Sequence, residues 1–311
     1  MKGNNILRSF KNNKIIRFIY YNLNVTYGKT SILPDRIYLK ICYKKKFGEK
    51  LNLYNPNKFN EKIQWLKLYD HRAEYTQMVD KYEVNSYVAE KIGEEYILPI
   101  INVYNNADEI DFDSLPDQFV LKCTHDSGSI IICKDKSKLD ESKVIFKLDS
   151  ALRFNYYRQG REWPYKNVKP RIICQDYLGD NVQDIKTYCF NGQPKFSYVQ
   201  YNIYEPNGTI EPHFIDYYDI GWNLMPFERG EYKNSGKLIP QPENYDEIIR
   251  ISKILSKDIP FVRVDFFNVN GRLYFGELTL SPGGGMDKFY PESYNDLFGS
   301  WITLPQTKTN S

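Results

Sequence analysis

The sequence predicts an α+β protein built on antiparallel sheets, and three observations carry that prediction. From Phe119 onward, short β-rich runs alternate with turns, at Phe119–Cys123, Ile130–Cys133, Arg171–Tyr177, Ile185–Phe190, Lys195–Gln200, Phe261–Phe267 and Leu273–Leu280. Helical stretches fall among them at 140–157 and 244–257. Asn270-Gly271 lies between two alternating apolar runs, a strong signal for a tight hairpin.

Taken in order, residues 1–34 hold Lys2, Arg8, Lys11, Lys14, Arg17 and Lys29 and no acid, with Ile6, Leu7, Phe10, Ile15, Ile16, Phe18 and Ile19 interleaved. One reading is a basic amphipathic segment that rests on an anionic membrane surface. The other is a helix packed on the domain with its charges solvated, the commoner use of such a pattern. Residues 58–92 read as helical. Phe59, Ile63, Leu66 and Leu68–Tyr69 follow a helix-like spacing, Asn57 is placed as the N-cap, and a second helix is expected from Val79 to Ile92, ending near Gly93. Ile97–Val103 is strand-like, and 105–118 is an acidic, turn-rich loop.

Composition narrows the function. The chain has 311 residues, 41% hydrophobic and 16% aromatic, which is enough to bury a core. Net charge is +3, which argues against a dedicated nucleic-acid binder, because phosphate contacts need a concentrated basic face. Cys42, Cys123, Cys133, Cys174 and Cys189 show no CxxC spacing, and His71, His125 and His213 lie far apart, which argues against zinc. Single cysteines in strand-like runs are expected as buried thiols in a reducing cytosol. No apolar run approaches the roughly 20 residues that span a bilayer. Lys11, Lys14 and Arg17 break the first apolar stretch, so no signal peptide is expected.

The segment most charged with chemistry is Phe261–Gly285. Residues two apart on a strand share a face, so Arg263 points with Asp265, and Glu277 with Thr279. A plain two-residue loop at Asn270-Gly271 sets Asp265 opposite Gly276. A longer loop or one bulge sets it opposite Glu277, and this register is preferred because Val262, Val264 and Phe266 then bury the other face. Two facing carboxylates repel unless a cation sits between them. Arg263 can supply one. A hard divalent ion suits oxygen ligands better, and Mg²⁺ would complete its shell with water and phosphate oxygens. On the hairpin alone, ordinary cross-strand ion pairs account for the pattern equally well.

Two further segments add to it. In Phe119–Lys134, Lys122 sits within an apolar strand, followed by the polar loop His125-Asp-Ser-Gly-Ser129, whose Gly128 turn could present backbone N–H groups to phosphates. No GxxxxGK[ST] loop is present. In Arg171–Leu178 an apolar strand ends in a polar hinge able to offer backbone groups to a purine edge, and Asp184 and Lys186 follow on the next strand.

In this order the segments resemble an ATP-grasp enzyme, and more closely the TupA-like ATP-grasp family of bacterial surface-polysaccharide gene sets. The resemblance covers roughly 55–300. It rests on Phe59-Asn-Glu-Lys-Ile-Gln-Trp-Leu-Lys-Leu-Tyr-Asp70, Val79-Asp-Lys-Tyr82, Leu115-Pro-Asp-Gln-Phe-Val-Leu-Lys122, Arg161-Glu-Trp163, Cys189-Phe-Asn-Gly192, Phe261-Val-Arg-Val-Asp265 and Gly276-Glu-Leu-Thr279. It implies two α+β subdomains with antiparallel sheets that clasp ATP. These would be a small one at 116–180 and a large one with the metal site at 181–305, after a helical region at 55–115 and the basic segment at 1–54.

The resemblance also implies roles. Lys81, in an Asp80-Lys81 pair opening a helix, and Lys122 resemble the lysines that touch the nucleotide phosphates. His125, Ser127, Gly128 and Ser129 resemble the phosphate-covering loop. Gln175, Asp176, Tyr177 and Leu178 resemble the adenine hinge, with Gln175 where Glu is usual. Asp184 and Lys186 resemble the pair near ribose or acceptor, and Arg263 the residue that stabilises the transferring phosphoryl group. Asp265, Glu277 and Thr279 resemble the Mg²⁺ ligands, with Thr279 where many relatives carry Asn. The implied reaction is carboxylate–amine ligation through an acyl-phosphate, joining an amino acid to a uronic-acid-containing glycan or its precursor. Gly283-Gly284-Gly285 would let the backbone approach that intermediate. The expected setting is the cytoplasm, at the inner face of the membrane if 1–34 touches it. The alternatives are a sugar kinase and a glycosyltransferase of the same pathway, the latter with Asp111-Phe-Asp113 as a DxD-like motif, or a non-catalytic nucleotide-binding partner.

Overall fold

The computed structural model describes residues 33–204, 210–230 and 232–306, with the backbone alone at 200–204 and 210–213. The basic segment singled out in the sequence lies outside the described residues up to 32. In chain order the elements are α1 (Asp35–Phe47), α2 (Phe59–Tyr69), α3 (Glu74–Val79), α4 (Val84–Ile92), β1 (Ile100–Tyr104), β2 (Phe119–Cys123), β3 (Ile131–Cys133), α5 (Glu141–Leu152), α6 (Tyr157–Gly160), β4 (Ile172–Asp176), β5 (Gln183–Phe190), β6 (Gln193–Tyr204), β7 (Ile210–Asp219), β8 (Glu228–Arg229), α7 (Tyr245–Leu255), β9 (Phe261–Val269), β10 (Arg272–Thr279), β11 (Phe289–Tyr290) and α8 (Ser293–Ser300). Every strand pairing between named elements is antiparallel, so the α+β expectation holds.

The chain divides into two compact units. The first comprises 33–38, 80–82 and 99–177, with a four-stranded sheet in the order β1-β4-β2-β3. Strand β2 alternates cleanly. Phe119, Leu121 and Cys123 are buried and join Val144 and Leu148 of α5 in one core, while Val120 and Lys122 face the other way. Helix α5 starts where Asp140 caps it, its Oδ1 accepting from the Lys143 N–H at 3.1 Å.

The second unit comprises 39–79, 83–98 and 178–306, with a five-stranded sheet in the order β10-β9-β5-β6-β7. One face packs Phe59 and Ile63 of α2 and Phe298 of α8 against Phe190, Phe196 and Phe261. Helix α7 lies within the same unit and buries Ile248, Ile251 and Leu255, an i, i+3, i+7 stripe. Burying each such side chain contributes ~1.5–3 kcal/mol.

Two local expectations are corrected. The helix expected from Val79 to Ile92 is broken. Residues 80–83 form a turn between α3 and α4, because Asp80 accepts from the Tyr82 N–H at 2.8 Å and pairs with Arg171 instead of continuing the helix. Asp80-Lys81 therefore does not open a helix. The start of α2 is governed by Glu61 rather than by an Asn57 cap: Glu61 Oε2 reaches back to the N–H groups of Asn57 and Lys58 at 3.0 and 3.2 Å. Among the described residues no helix is long and apolar enough to cross a membrane.

Candidate active site

The site in the second unit is built by strand register. Asn270 and Gly271 both take positive φ (51° and 82°), the geometry of a two-residue hairpin turn. A bulge between Phe275 and Glu277 then shifts the register, so that Glu277 faces Asp265 and Thr279 faces Arg263. Gly276 permits it, since a Cβ there would sit 3.1 Å from the Asp265 carbonyl oxygen. The register preferred from the sequence is thus the one formed, through a bulge and not a longer loop. Across the sheet, Glu277, Asp265, Lys186, Tyr198 and Tyr217 align as one row over five strands. Val262, Val264 and Phe266, on the other face, are fully buried.

Charges converge on Arg263. Its Nε and Nη2 donate to the two carboxylate oxygens of Asp265 at 2.7 and 2.6 Å. The same Nη2 lies 2.8 Å from Glu277 Oε1 and 3.0 Å from Thr279 Oγ1, and the Thr279 hydroxyl donates to Glu277 at 2.9 Å. Lys186 Nζ bridges Asp184 and Asp265 at 2.7 and 3.0 Å. Asp265 is 1% exposed, whereas the Glu277 side chain is 40% exposed. Burial pushes the Asp265 carboxyl upward while Arg263 and Lys186 pull it back. Burial works against the Lys186 charge, but Asp184 and Asp265 outweigh it and hold the ammonium above its ordinary range. The cluster is therefore a network of paired charges, with Glu277 as its solvent-facing member.

The residues fit Mg²⁺. Oxygens of Asp265, Glu277 and Thr279 gather around one point, now bridged by the guanidinium, and they are the hard donors such an ion takes. Among the described residues no cluster of three His, Cys, Asp or Glu forms a self-contained metal cage. The donor set suits an ion that completes its shell with water and phosphate oxygens.

In the first unit, Lys122 occupies the half-exposed face of β2. Lys81 is held beside the strand end: its N–H donates to the Thr124 carbonyl at 3.1 Å, and its ammonium reaches the Asp126 carbonyl. Arg171 anchors this turn through Asp80 Oδ2 at 2.8 Å and covers the Tyr82 ring at 4.5 Å. The 125–129 loop is divided. The buried His125 ring lies against the Ala151 and Phe154 carbonyls. Ser129 accepts from the Cys123 N–H and donates to Asp126. Ser127 and Gly128 are exposed. Gln175 is buried in the sheet between β1 and β2, and Asp176 is exposed at the strand end. Leu178 is the first residue of the second unit. Asp111 caps its own turn, accepting from the Asp113 N–H at 3.2 Å.

Sequence reasoning missed two groups, Arg229 and the α2 donors Asn60, Gln64 and Lys67. Arg229 is buried on the same sheet face, donating to the Tyr188 hydroxyl at 2.8 Å, with its guanidinium 5.2 Å from the Tyr198 ring. Nothing in the local sequence marks it. The second group explains part of the Phe59–Asp70 motif. Gly283, Gly284 and Gly285 are all left-handed (φ 57°, 63° and 70°), and α2 grips the Gly284 and Gly285 carbonyls. Gln64 Nε2 donates to Gly284 and Gly285 at 3.0 Å each, Lys67 Nζ to Gly284 at 2.9 Å, and Asn60 Nδ2 to Gly285 at 2.9 Å. A Cβ on Gly285 would lie 2.5 Å from Ile63 Cγ2.

A sheet bearing an Arg-x-Asp strand opposite a Glu-x-Thr strand, together with a second α+β unit bearing a strand lysine, is the arrangement that the resemblance to ATP-grasp proteins implies. The chain belongs to the TupA-like ATPgrasp family, whose model matches residues 61–303. Among solved structures, D-alanine–D-alanine ligase from Helicobacter pylori is 16% identical, over 79% of this chain and 70% of that one, with a TM-score of 0.43. D-alanine–D-alanine ligase from Bacillus anthracis is 16% identical, over 65% of this chain and 57% of that one, with a TM-score of 0.38. An N5-carboxyaminoimidazole ribonucleotide synthetase is 11% identical, over 71% and 50%, with a TM-score of 0.36. This chain thus spans little more than half the length of the Bacillus anthracis ligase. No protein of curated function matches the sequence.

Proposed function

We propose that the chain is an ATP- and Mg²⁺-dependent carboxylate–amine ligase. The convergence of Asp265, Glu277 and Thr279 on the Arg263 guanidinium, in one sheet row with Lys186, carries this reading. A carboxylate oxygen attacks the γ-phosphorus of ATP, the bond to the bridging oxygen breaks, and ADP leaves. An amine then attacks the acyl carbon, phosphate departs, and the amine proton passes to solvent or a base as the amide forms. Mg²⁺, held by Asp265 and Glu277 with Thr279 beside them, would neutralise phosphate charge. Arg263 spreads positive charge over the transferring phosphoryl oxygens, and Lys186 pairs with Asp265 and orients it. Lys81, Lys122 and the exposed Ser127–Gly128 backbone serve the phosphates. The strand end at Gln175–Leu178 serves adenine, and Asp184 the ribose or acceptor. The triple-glycine turn, fixed by α2, presents backbone to the acyl-phosphate.

The family resemblance supports a role in bacterial surface-polysaccharide biosynthesis, with a uronic acid as carboxylate and an amino acid as amine. All five cysteines are unpaired thiols, which suits a reducing cytoplasm. The test is phosphate release from Mg-ATP against uronic acids crossed with amino acids. Release that requires both partners, with a new amide in the product, supports ligation. Release with a phosphorylated sugar and no amine consumed assigns a kinase, and turnover of a nucleotide sugar without ATP assigns a glycosyltransferase.

A further inference from the structure

The net charge of +3 conceals a strong asymmetry. Residues 1–47 hold eleven Lys and Arg and one acid, leaving 31 basic and 38 acidic residues for the rest of the chain. Helix α1 shows how part of that charge is displayed. Leu39 and Tyr43, one turn apart, are 1% exposed and anchor it. Its single acid, Asp35, is engaged by the Tyr157 hydroxyl and by Arg161. The opposite face is open: Ile37 is 48% exposed and Ile41 54%, and Arg36, Lys40, Lys44 and Lys45 are all exposed. At 100° per residue, Ile37 and Ile41 form a stripe with Arg36, Lys40 and Lys44 along one side and Lys45 along the other.

We infer that this face of α1 docks on a membrane surface bearing anionic lipid headgroups. The two isoleucines would enter the headgroup–acyl boundary while the flanking ammonium and guanidinium groups pair with lipid phosphates. The charge complementarity selects this occupant. Four cations frame a narrow apolar stripe too small for a stable protein interface, and the one acid of the helix, Asp35, is already engaged by Tyr157 and Arg161. The docking is independent of the ligase reading, since none of these residues belongs to the catalytic set.

The experiment is co-sedimentation of the full chain with phosphatidylcholine vesicles, with and without phosphatidylglycerol, at low and high salt. Binding is expected only with phosphatidylglycerol and is weakened by salt. Replacing Lys40, Lys44 and Lys45 with Glu should lower the vesicle partition coefficient by more than about a hundredfold, at roughly fivefold for each cation lost and more for each charge reversed. Ile37→Ser with Ile41→Ser should lower it while leaving the salt dependence in place. Far-UV circular dichroism and Tm confirm folding, and Lys→Gln at the three lysines provides a milder second variant. Equal binding to pure phosphatidylcholine, or partition unchanged in all these variants, overturns the proposal. So does retention on single-stranded DNA without vesicle binding, which would assign the face to nucleic acid.

Discussion

Replacing Glu277 with Gln separates the chemistry of the metal end from its architecture. The Gln amide oxygen can still accept from Arg263 Nη2 and Thr279 Oγ1, now at 2.8 and 2.9 Å, so the hydrogen-bond pattern survives while one negative charge is lost. The side chain is 40% exposed, and a solvent-screened pair of this kind contributes at most about 1 kcal/mol. For a chain of 311 residues that lowers Tm by only about 1–2 °C. The functional loss should be far larger. One of two carboxylates able to hold Mg²⁺ is gone, and removing such a charge-stabilising group costs on the order of 10²–10³ in turnover. ATP-dependent phosphate release, measured with Mg²⁺ and the best acceptor pair, should fall accordingly. The stabilisation by Mg-ATP, about 2.7 kcal/mol at a hundred times Kd, should shrink with it. A variant that folds and releases phosphate at the wild-type rate would refute the metal assignment.

Asp265→Asn should behave oppositely in stability, because both carboxylate oxygens are buried against Arg263 and Lys186. Leaving those cations short of a charge costs about 3–5 kcal/mol, read as a large drop in urea midpoint. Gly285→Ala forces a Cβ against Ile63 at a left-handed backbone and should cost roughly 1–3 kcal/mol, with turnover falling further than stability alone explains. Lys67→Met removes a donor to the Gly284 carbonyl and should lower turnover while leaving the affinity for ATP, read by thermal shift, unchanged. Burial pushes the Cys123, Cys174 and Cys189 thiols up to about 12, and Cys133 upward as well. At pH 8 a thiol reagent should therefore react first with the half-buried Cys42, and with all five only after denaturation. The thiol contribution to stability is fully present below the unfolded pKa of roughly 8.5 and is lost as pH climbs towards 12.

What was legible in the sequence was short-range. The alternation in β2, β9 and β10, the Asn270-Gly271 turn and the shared face of Arg263 with Asp265 follow from a period of two and from turn chemistry within a few residues. The register of Asp265 with Glu277 was implied too, but whether a longer loop or a bulge produces it was settled only by the bulge between Phe275 and Glu277. The break at 80–83 was not legible, because the partner that draws Asp80 out of the helical path is Arg171, 91 residues away. The Lys186 bridge to Asp265, the row through Tyr198 and Tyr217, and the Arg229 contact depend on which strands neighbour one another, a choice made by burial over the whole sheet. The grip of α2 on the triple-glycine turn joins residues more than 200 positions apart. By itself the sequence determined which residues share a face, because that is local stereochemistry. Tertiary structure decided which faces meet, and so gathered Glu277, Asp265 and Lys186 into one charged row.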